Sequence, residues 1–258
     1  MIPIQPSLSA LVTEPTPLFR ASGLTLKNAA ITLKCDNKAI YKDFGELMFT
    51  ADGIGGATVL SASAHIPDDS AERCIIQIDL KPALTEQKLD ARILRDFAEL
   101  RGNTDVAAVA TKSQSSLARF NTRCRRPKAT GGKTFADSLR KLLPKELVEP
   151  FSEVTGIPPG KSISEITKIE RKTLVKSLKF LELKIGGFRP IAEAIITRGG
   201  ISTAEISPKT MASRLCEGLY FAGEIIDVDG YTGGFNLQIA FSTGRLAGQS
   251  AAYFVKKS

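Results

Sequence analysis

The residues best able to do chemistry lie near the end of this 258-residue sequence. Gly218-Leu219-Tyr220-Phe221-Ala222-Gly223-Glu224 reads as a short apolar strand closing in Gly-Glu. An acidic loop follows, Ile225 to Thr232, carrying Asp227, Asp229 and Gly230. Gly233-Gly234 then leads into Phe235-Asn236-Leu237-Gln238, and small and apolar residues continue in helical order to Val255. Strand, acidic loop, glycine pair and helix suit a flavin. A helix N-terminus offers unpaired N–H groups and partial positive charge to the electron-rich edge of a reduced ring. Glycines let backbone approach that ring without an intervening Cβ. An acidic side chain at the strand end accepts hydrogen bonds from ribityl or ribose hydroxyls. The same string serves equally as a plain strand–loop–helix packing unit. No proton donor stands out; Tyr220 and Tyr231 are candidates because tyrosine can donate from a pocket edge. Catalytic residues are left unassigned, and no metal site is assigned.

Those residues need a scaffold, and the first third reads as β. Ala30 to Cys35 and Lys38 to Lys42 flank an Asp36-Asn37 turn, the pattern of a hairpin. Glu46 to Thr50, Thr58 to Leu60 and Cys74 to Leu80 read as further short strands, which together suggest a small barrel or curled antiparallel sheet. The middle third changes to helical spacing. One helix opens at Thr85 and carries Leu89, Ile93 and Phe97. A second runs from Phe135 to Leu143 before Pro144, and a third carries Leu147, Val148 and Phe151 up to Gly156. Two more cover Ser162 to Phe180. Strand patterns return at Leu181–Ile185 and Ala192–Thr197.

Composition narrows the classes. A hydrophobic content of 43% with 24% charged residues excludes wholesale disorder. No run approaches the roughly 20 apolar residues of a membrane span, and the start has no basic and apolar leader, so a cytoplasmic protein is expected. Cys35, Cys74, Cys124 and Cys216 are far apart with no C-x-x-C pair, the pattern of separate thiols. The single histidine, His65, reads as structural or surface, so nucleophilic hydrolase devices are poorly supported. The net charge of +8 is concentrated at Arg119, Arg123, Arg125, Arg126, Lys128 and Lys133. This cluster is either a solvated insertion or a patch for RNA or another anion, although it lacks interleaved aromatics for base stacking.

The tail, with Pro6-Ser7-Leu8, Gly23-Leu24-Thr25-Leu26-Lys27-Asn28, Glu46 to Thr50, Leu143-Pro144-Lys145, Gly199 to Thr203 and Pro208 to Met211, resembles the YhiN/BaiN-like, aminoacetone-oxidase-type FAD-binding oxidoreductases over nearly the whole chain. The resemblance implies an α+β fold. A small antiparallel β-barrel (1–82, with return strands at 181–198) carries a helical insertion (83–180), and the C-terminal part of a Rossmann-like FAD-binding domain follows (199–258). It implies hydride transfer at a flavin with NAD(P)H as partner and a small-molecule substrate. The implied FAD-binding residues are Gly199, Gly200, Ile201, Gly223, Glu224, Asp229, Gly230, Gly233, Gly234, Phe235, Asn236, Leu237 and Gln238. Two departures matter. The family's histidine after Phe-Thr is replaced by Ala51. The strand–G-x-G-x-x-G–helix unit for the pyrophosphate has no counterpart, since Gly53-Ile54-Gly55-Gly56-Ala57-Thr58 puts Thr58 where the third glycine belongs. The expectation is therefore a fragment that binds FAD weakly and is inactive alone, lacking an N-terminal dinucleotide-binding segment. The alternative is an RNA-binding or protein-interaction module using the basic 119–133 segment.

Overall fold

A computed structural model describes residues 1–67, 70–102 and 133–257. The chain divides into two compact units, one made of Met1–Leu80 together with the chain from Leu181 onward, the other of Lys81–Phe180. Most of the basic cluster, residues 119–132, and Cys124 lie outside the described residues.

The first unit is built on a closed antiparallel barrel. Its strands are β2 (Leu11–Thr13), β3 (Thr25–Cys35), β4 (Lys38–Phe49), β5 (Gly53–Gly55), β6 (Cys74–Asp79) and β7 (Leu181–Phe188). They run in the order β2-β5-β4-β3-β6-β7, and β7 pairs back onto β2. The expected hairpin is present and longer than its sequence signal. Asp36 and Asn37 both take positive φ (50° and 62°), the backbone that matches the twist of the strands they join. Burial alternates along β3, β6 and β7, so Ile31 and Leu33, Ile76 and Ile78, and Leu183 and Ile185 point inward.

Outside the barrel, β1 (Ile2–Ser7) pairs antiparallel with β8 (Ile196–Gly200). Three expected strands differ. Thr58 to Leu60 lies in a helix, α1 (Ala57–Ser63), which buries Val59 and Ala62; a short apolar run carries too few residues for its period to decide. Ala192–Thr197 is a 3-10 turn at Ile191–Glu193, and strand pairing starts only at Ile196. Gly218–Glu224 has a single bridge, Ala212 to Tyr220, and then a 3-10 turn at Gly223–Ile225. Among the described residues no strand runs alongside it, and a strand persists only where its N–H and C=O groups find a ladder.

The cysteines also differ from expectation. Cys35 and Cys74 are register partners across β3 and β6, with Cα atoms 4.1 Å apart, and are joined as a disulfide. Their separation of 39 residues hid this, because adjacency arises only when β6 returns beside β3.

The second unit is helical: α2 (Glu86–Leu100), α3 (Phe135–Leu139), α4 (Lys145–Thr155) and α5 (Lys168–Lys179). The expected second helix is shorter than its apolar pattern, stopping at Leu139. Of the two helices expected over Ser162–Phe180, the first is a single 3-10 turn at Ile163–Glu165. Thr85 and Thr167 cap their helices by accepting from Lys88 N and Glu170 N, and Gly156 (φ 71°) ends α4 in the left-handed form. Lys161 and Glu170 form an ion pair at 2.6 Å. Lys161 first, then the Thr167 backbone N–H, pulls the Glu170 carboxyl down to about 2.

The chain closes with α6 (Phe235–Lys257), whose Ala247 packs with Ile206, Met211 and Ile226 in a small core within the first unit. No described helix is long and apolar enough to cross a membrane.

Candidate functional site

The glycine pair and the start of α6 form one side of a cavity of about 510 Å³ within the first unit, a size ordinary for a small-molecule or cofactor site. Gly233 and Gly234 sit at φ 106° and 91°, a region that side-chain-bearing residues rarely adopt. A Cβ on Gly234 would meet nothing within 4 Å, and one on Gly233 only the Phe235 ring at 3.8 Å. Both backbones therefore border open space. Gln238 N donates to Gly234 O, which makes Gly234 the residue before the first helical turn. The N–H groups of Phe235, Asn236 and Leu237 consequently have no acceptor within the helix.

The acidic loop is tied down residue by residue. Ser7 Oγ donates to Asp229 Oδ2 at 2.5 Å, joining the loop to β1, and Asp227 Oδ1 accepts from Gly199 N at 2.9 Å. Asn236 grips Gly230 twice: Oδ1 accepts from Gly230 N at 2.7 Å, and Nδ2 donates to Gly230 O at 2.9 Å. That pair fixes the loop against the first turn of α6. Glu224 Oε1 accepts from Thr197 N at 2.7 Å, and Gly223 N donates to Thr243 Oγ1 at 2.9 Å.

Of the residues singled out from sequence, Gly223, Glu224, Gly233, Gly234, Asn236 and Leu237 line the cavity. Asp229 and Gly230 shape the loop beside it. Phe235 and Gln238 lie on the exposed side of α6, with Gln238 Nε2 donating to Ser242 Oγ. Gly199, Gly200 and Ile201 do not line it. A Cβ on Gly199 would stand 2.1 Å from Pro3 O, and one on Gly200 2.3 Å from Ile225 O. Ile201 N donates to Ile225 O, and Ile201 O accepts from Asp227 N. These glycines are required by backbone crossing, which the sequence string alone does not distinguish from a ligand cradle.

The two tyrosines part company. Tyr220 turns toward the C-terminal part of α6, with its hydroxyl 3.5 Å from Ser250 O. Tyr231 lines the cavity, and its hydroxyl lies 2.8 Å from His65 Nε2. The His65 ring stacks on Tyr41, with centroids 4.4 Å apart and planes at 20°. Tyr41 in turn donates to Asp43 Oδ2 at 2.9 Å. Burial first, and then the Asp43 carboxylate, pushes the Tyr41 hydroxyl up to about 12. No local signal could have revealed this cluster, since 166 residues separate His65 from Tyr231.

A closed antiparallel barrel together with a glycine-loop–helix unit and a helical unit makes this a protein of mixed sheet and helix. Residues 16–250 match the family described as HI0933-like protein Rossmann domain, and the chain belongs to that family. It is 30% identical over 251 residues to a 3-dehydro-bile acid delta(4,6)-reductase from Clostridium scindens, a match covering 97% of this chain and 54% of that protein. It is 32% identical over 246 residues to a ribosomal RNA dihydrouridine synthase from Haemophilus influenzae, covering 94% of this chain and 50% of that one. A ribosomal RNA dihydrouridine synthase from Escherichia coli is 36% identical over 107 residues, 42% of this chain and 26% of its own. The chain thus spans about half the length of the first two relatives.

Proposed function

We propose that this chain supplies one wall of an FAD site in an oxidoreductase that saturates a carbon–carbon double bond conjugated to a carbonyl. The observation that carries the reading is the pair of open glycines at the N-terminus of α6, facing a cavity of about 510 Å³. The residues present fit a flavin. Positions 233 and 234 leave room for a flat ring where a Cβ would intrude, and three N–H groups without helical acceptors could donate to its electron-rich edge. Gly233 to Leu237 would hold the ring edge, and Glu224 would take a hydroxyl of the chain attached to it. Bound FAD supplies hydride transfer, with NAD(P)H proposed as its source. The protein's part is orientation, exclusion of water and placement of a proton.

The substrate class follows from what two relatives' names share. A 3-dehydro bile acid with 4,6 unsaturation and the uracil ring of uridine both present an alkene beside a carbonyl. The finer likeness to the aminoacetone-oxidase-type flavoproteins supports the cofactor.

We further infer that the grip on the FAD pyrophosphate comes from a G-x-G-x-x-G segment outside these 258 residues. Two features support this. No such string stands in the sequence, and α6 leaves Phe235, Leu237 and Phe241 60–69% exposed, apolar surface that a further layer would cover.

Titrating FAD with the chain, alone and joined to a G-x-G-x-x-G segment of a relative, tests both points by flavin fluorescence. Weak binding that the added segment strengthens, and that Gly234→Ala weakens, is expected. Stoichiometric tight binding by the chain alone removes the need for the segment, and no binding in either form removes the flavin.

A further inference from the structure

Tyr231 reaches the cavity from a side that neither the glycine pair nor Glu224 explains. It is 45% exposed, lines the same cavity as Gly233 and Gly234, and holds its hydroxyl 2.8 Å from the Nε2 of the chain's single histidine. The histidine ring is fixed on its other side by stacking on Tyr41, whose hydroxyl is engaged by Asp43. A tyrosine hydroxyl within hydrogen-bond reach of an imidazole nitrogen, whose ring is itself held by a second ring, is an arrangement in which a positioned tyrosine can give up a proton. Tyr41 cannot take that role: its hydroxyl is held near 12 and is committed to Asp43. Tyr220 is directed at Ser250 O instead.

We propose that Tyr231 is the catalytic proton donor at this site and that His65 is a positioning residue, donating Nε2–H to the Tyr231 oxygen. The proposal rests on the flavin reading and deepens it. In the step, the substrate carbon β to the carbonyl accepts a hydride, with its electron pair, from reduced flavin. The alkene π pair moves to the α carbon, forming an enolate. The Tyr231 O–H bond breaks, and its proton forms the new C–H bond at the α carbon. The electron pair left on the tyrosine oxygen is held by the Nε2–H hydrogen bond until water restores the proton. The substrate gains one hydride, the two-electron reduction that a bound reduced flavin would supply, and one proton, which Tyr231 supplies. With Nε2 as donor, the tyrosine O–H is free to point at substrate; the opposite tautomer would consume it in the His65 bond. The proposal therefore fixes the tautomer.

Two measurements test this. The first needs no flavin. Nitrogen-15 spectra of the full chain, with its single imidazole, should show a hydrogen-bonded Nε2–H that Tyr231→Phe alters; an identical imidazole signal in both proteins overturns the pair. The second uses the chain joined to the G-x-G-x-x-G segment and loaded with FAD, in stopped flow. Reduction by nicotinamide and reoxidation by an α,β-unsaturated ketone are timed separately. Tyr231→Phe should slow reoxidation by the ketone by ~10²–10⁴-fold more than it slows reduction, while reoxidation by ferricyanide, which needs no proton on carbon, keeps pace with reduction. His65→Ala should slow the ketone step by about 10–100-fold, the worth of one hydrogen bond to a developing charge. His65→Gln, which retains an N–H donor, should recover part of that loss. Flavin reduction with unimpaired ketone reoxidation in Tyr231→Phe overturns the proton role alone. Failure of the segment-joined wild-type protein to bind FAD overturns the flavin reading, and this proposal with it.

Discussion

Replacing Gly200 by alanine separates glycines that hold backbone together from glycines that border ligand space. The new Cβ would stand 2.3 Å from Ile225 O and 3.1 Å from its carbon, both backbone atoms that cannot swing aside. The residue would also sit at φ 112°, where an L side chain is strained by roughly 1–2 kcal/mol. Forcing the Ile201–Asp227 crossing apart adds an overpacking cost of about 1–3 kcal/mol. The sum is about 2–5 kcal/mol against the first unit. Gly234→Ala carries the backbone strain alone, ~1–2 kcal/mol, because nothing lies within 4 Å of its Cβ. Urea unfolding followed by circular dichroism should place Gly200→Ala well below Gly234→Ala, and flavin titration should place Gly234→Ala as the weaker binder relative to its stability. Equal destabilisation by the two substitutions would refute the distinction drawn between them.

Three further outcomes are expected. Asn236→Ala removes both bonds to Gly230 and should cost about 1–3 kcal/mol, read as faster hydrogen exchange over residues 227–232. Asn236→Asp keeps the acceptor and should lose less. Glu170 has a folded value depressed to about 2, so its contribution is complete above its ordinary value near 4.5 and is lost as pH falls from there toward 2. Acid unfolding of the helical unit should flatten across that window in Glu170→Gln. Peptides bearing Cys35 and Cys74 should be joined in digests made without reductant, and Cys35→Ser with Cys74→Ser should cost ~2–4 kcal/mol by freeing a loop of 39 residues in the unfolded chain. Separate peptides in the unreduced digest would disprove the linkage.

Much of the scaffold was legible because its signals are local. Asp36-Asn37 announced the β3–β4 hairpin, Thr85 and Gly156 marked helix ends, and the run from Phe235 showed α6 almost to its end. What was hidden depends on long-range pairing. β1 carries Pro3 and Pro6, which weaken its strand signal, and among the described strands it pairs with β8, about 190 residues away. The glycine pair at Gly199-Gly200 looks in sequence like the pair at Gly233-Gly234, and only the nearness of Pro3 and Ile225 tells them apart. The Tyr41–His65–Tyr231 cluster draws its members from a strand, the turn after α1 and a loop, with no shared periodicity.

The pairing of Ile78 with Leu181 places the two ends of the 100-residue helical excursion side by side on neighbouring barrel strands. Seen as a design, the barrel is a socket: its ring closes through that pair whatever is carried between them. The excursion could be lengthened, exchanged or cut to a tight turn while the ring, the acidic loop and the start of α6 kept their register. Length and sequence variation can therefore accumulate in the excursion at little cost to the ring that carries it.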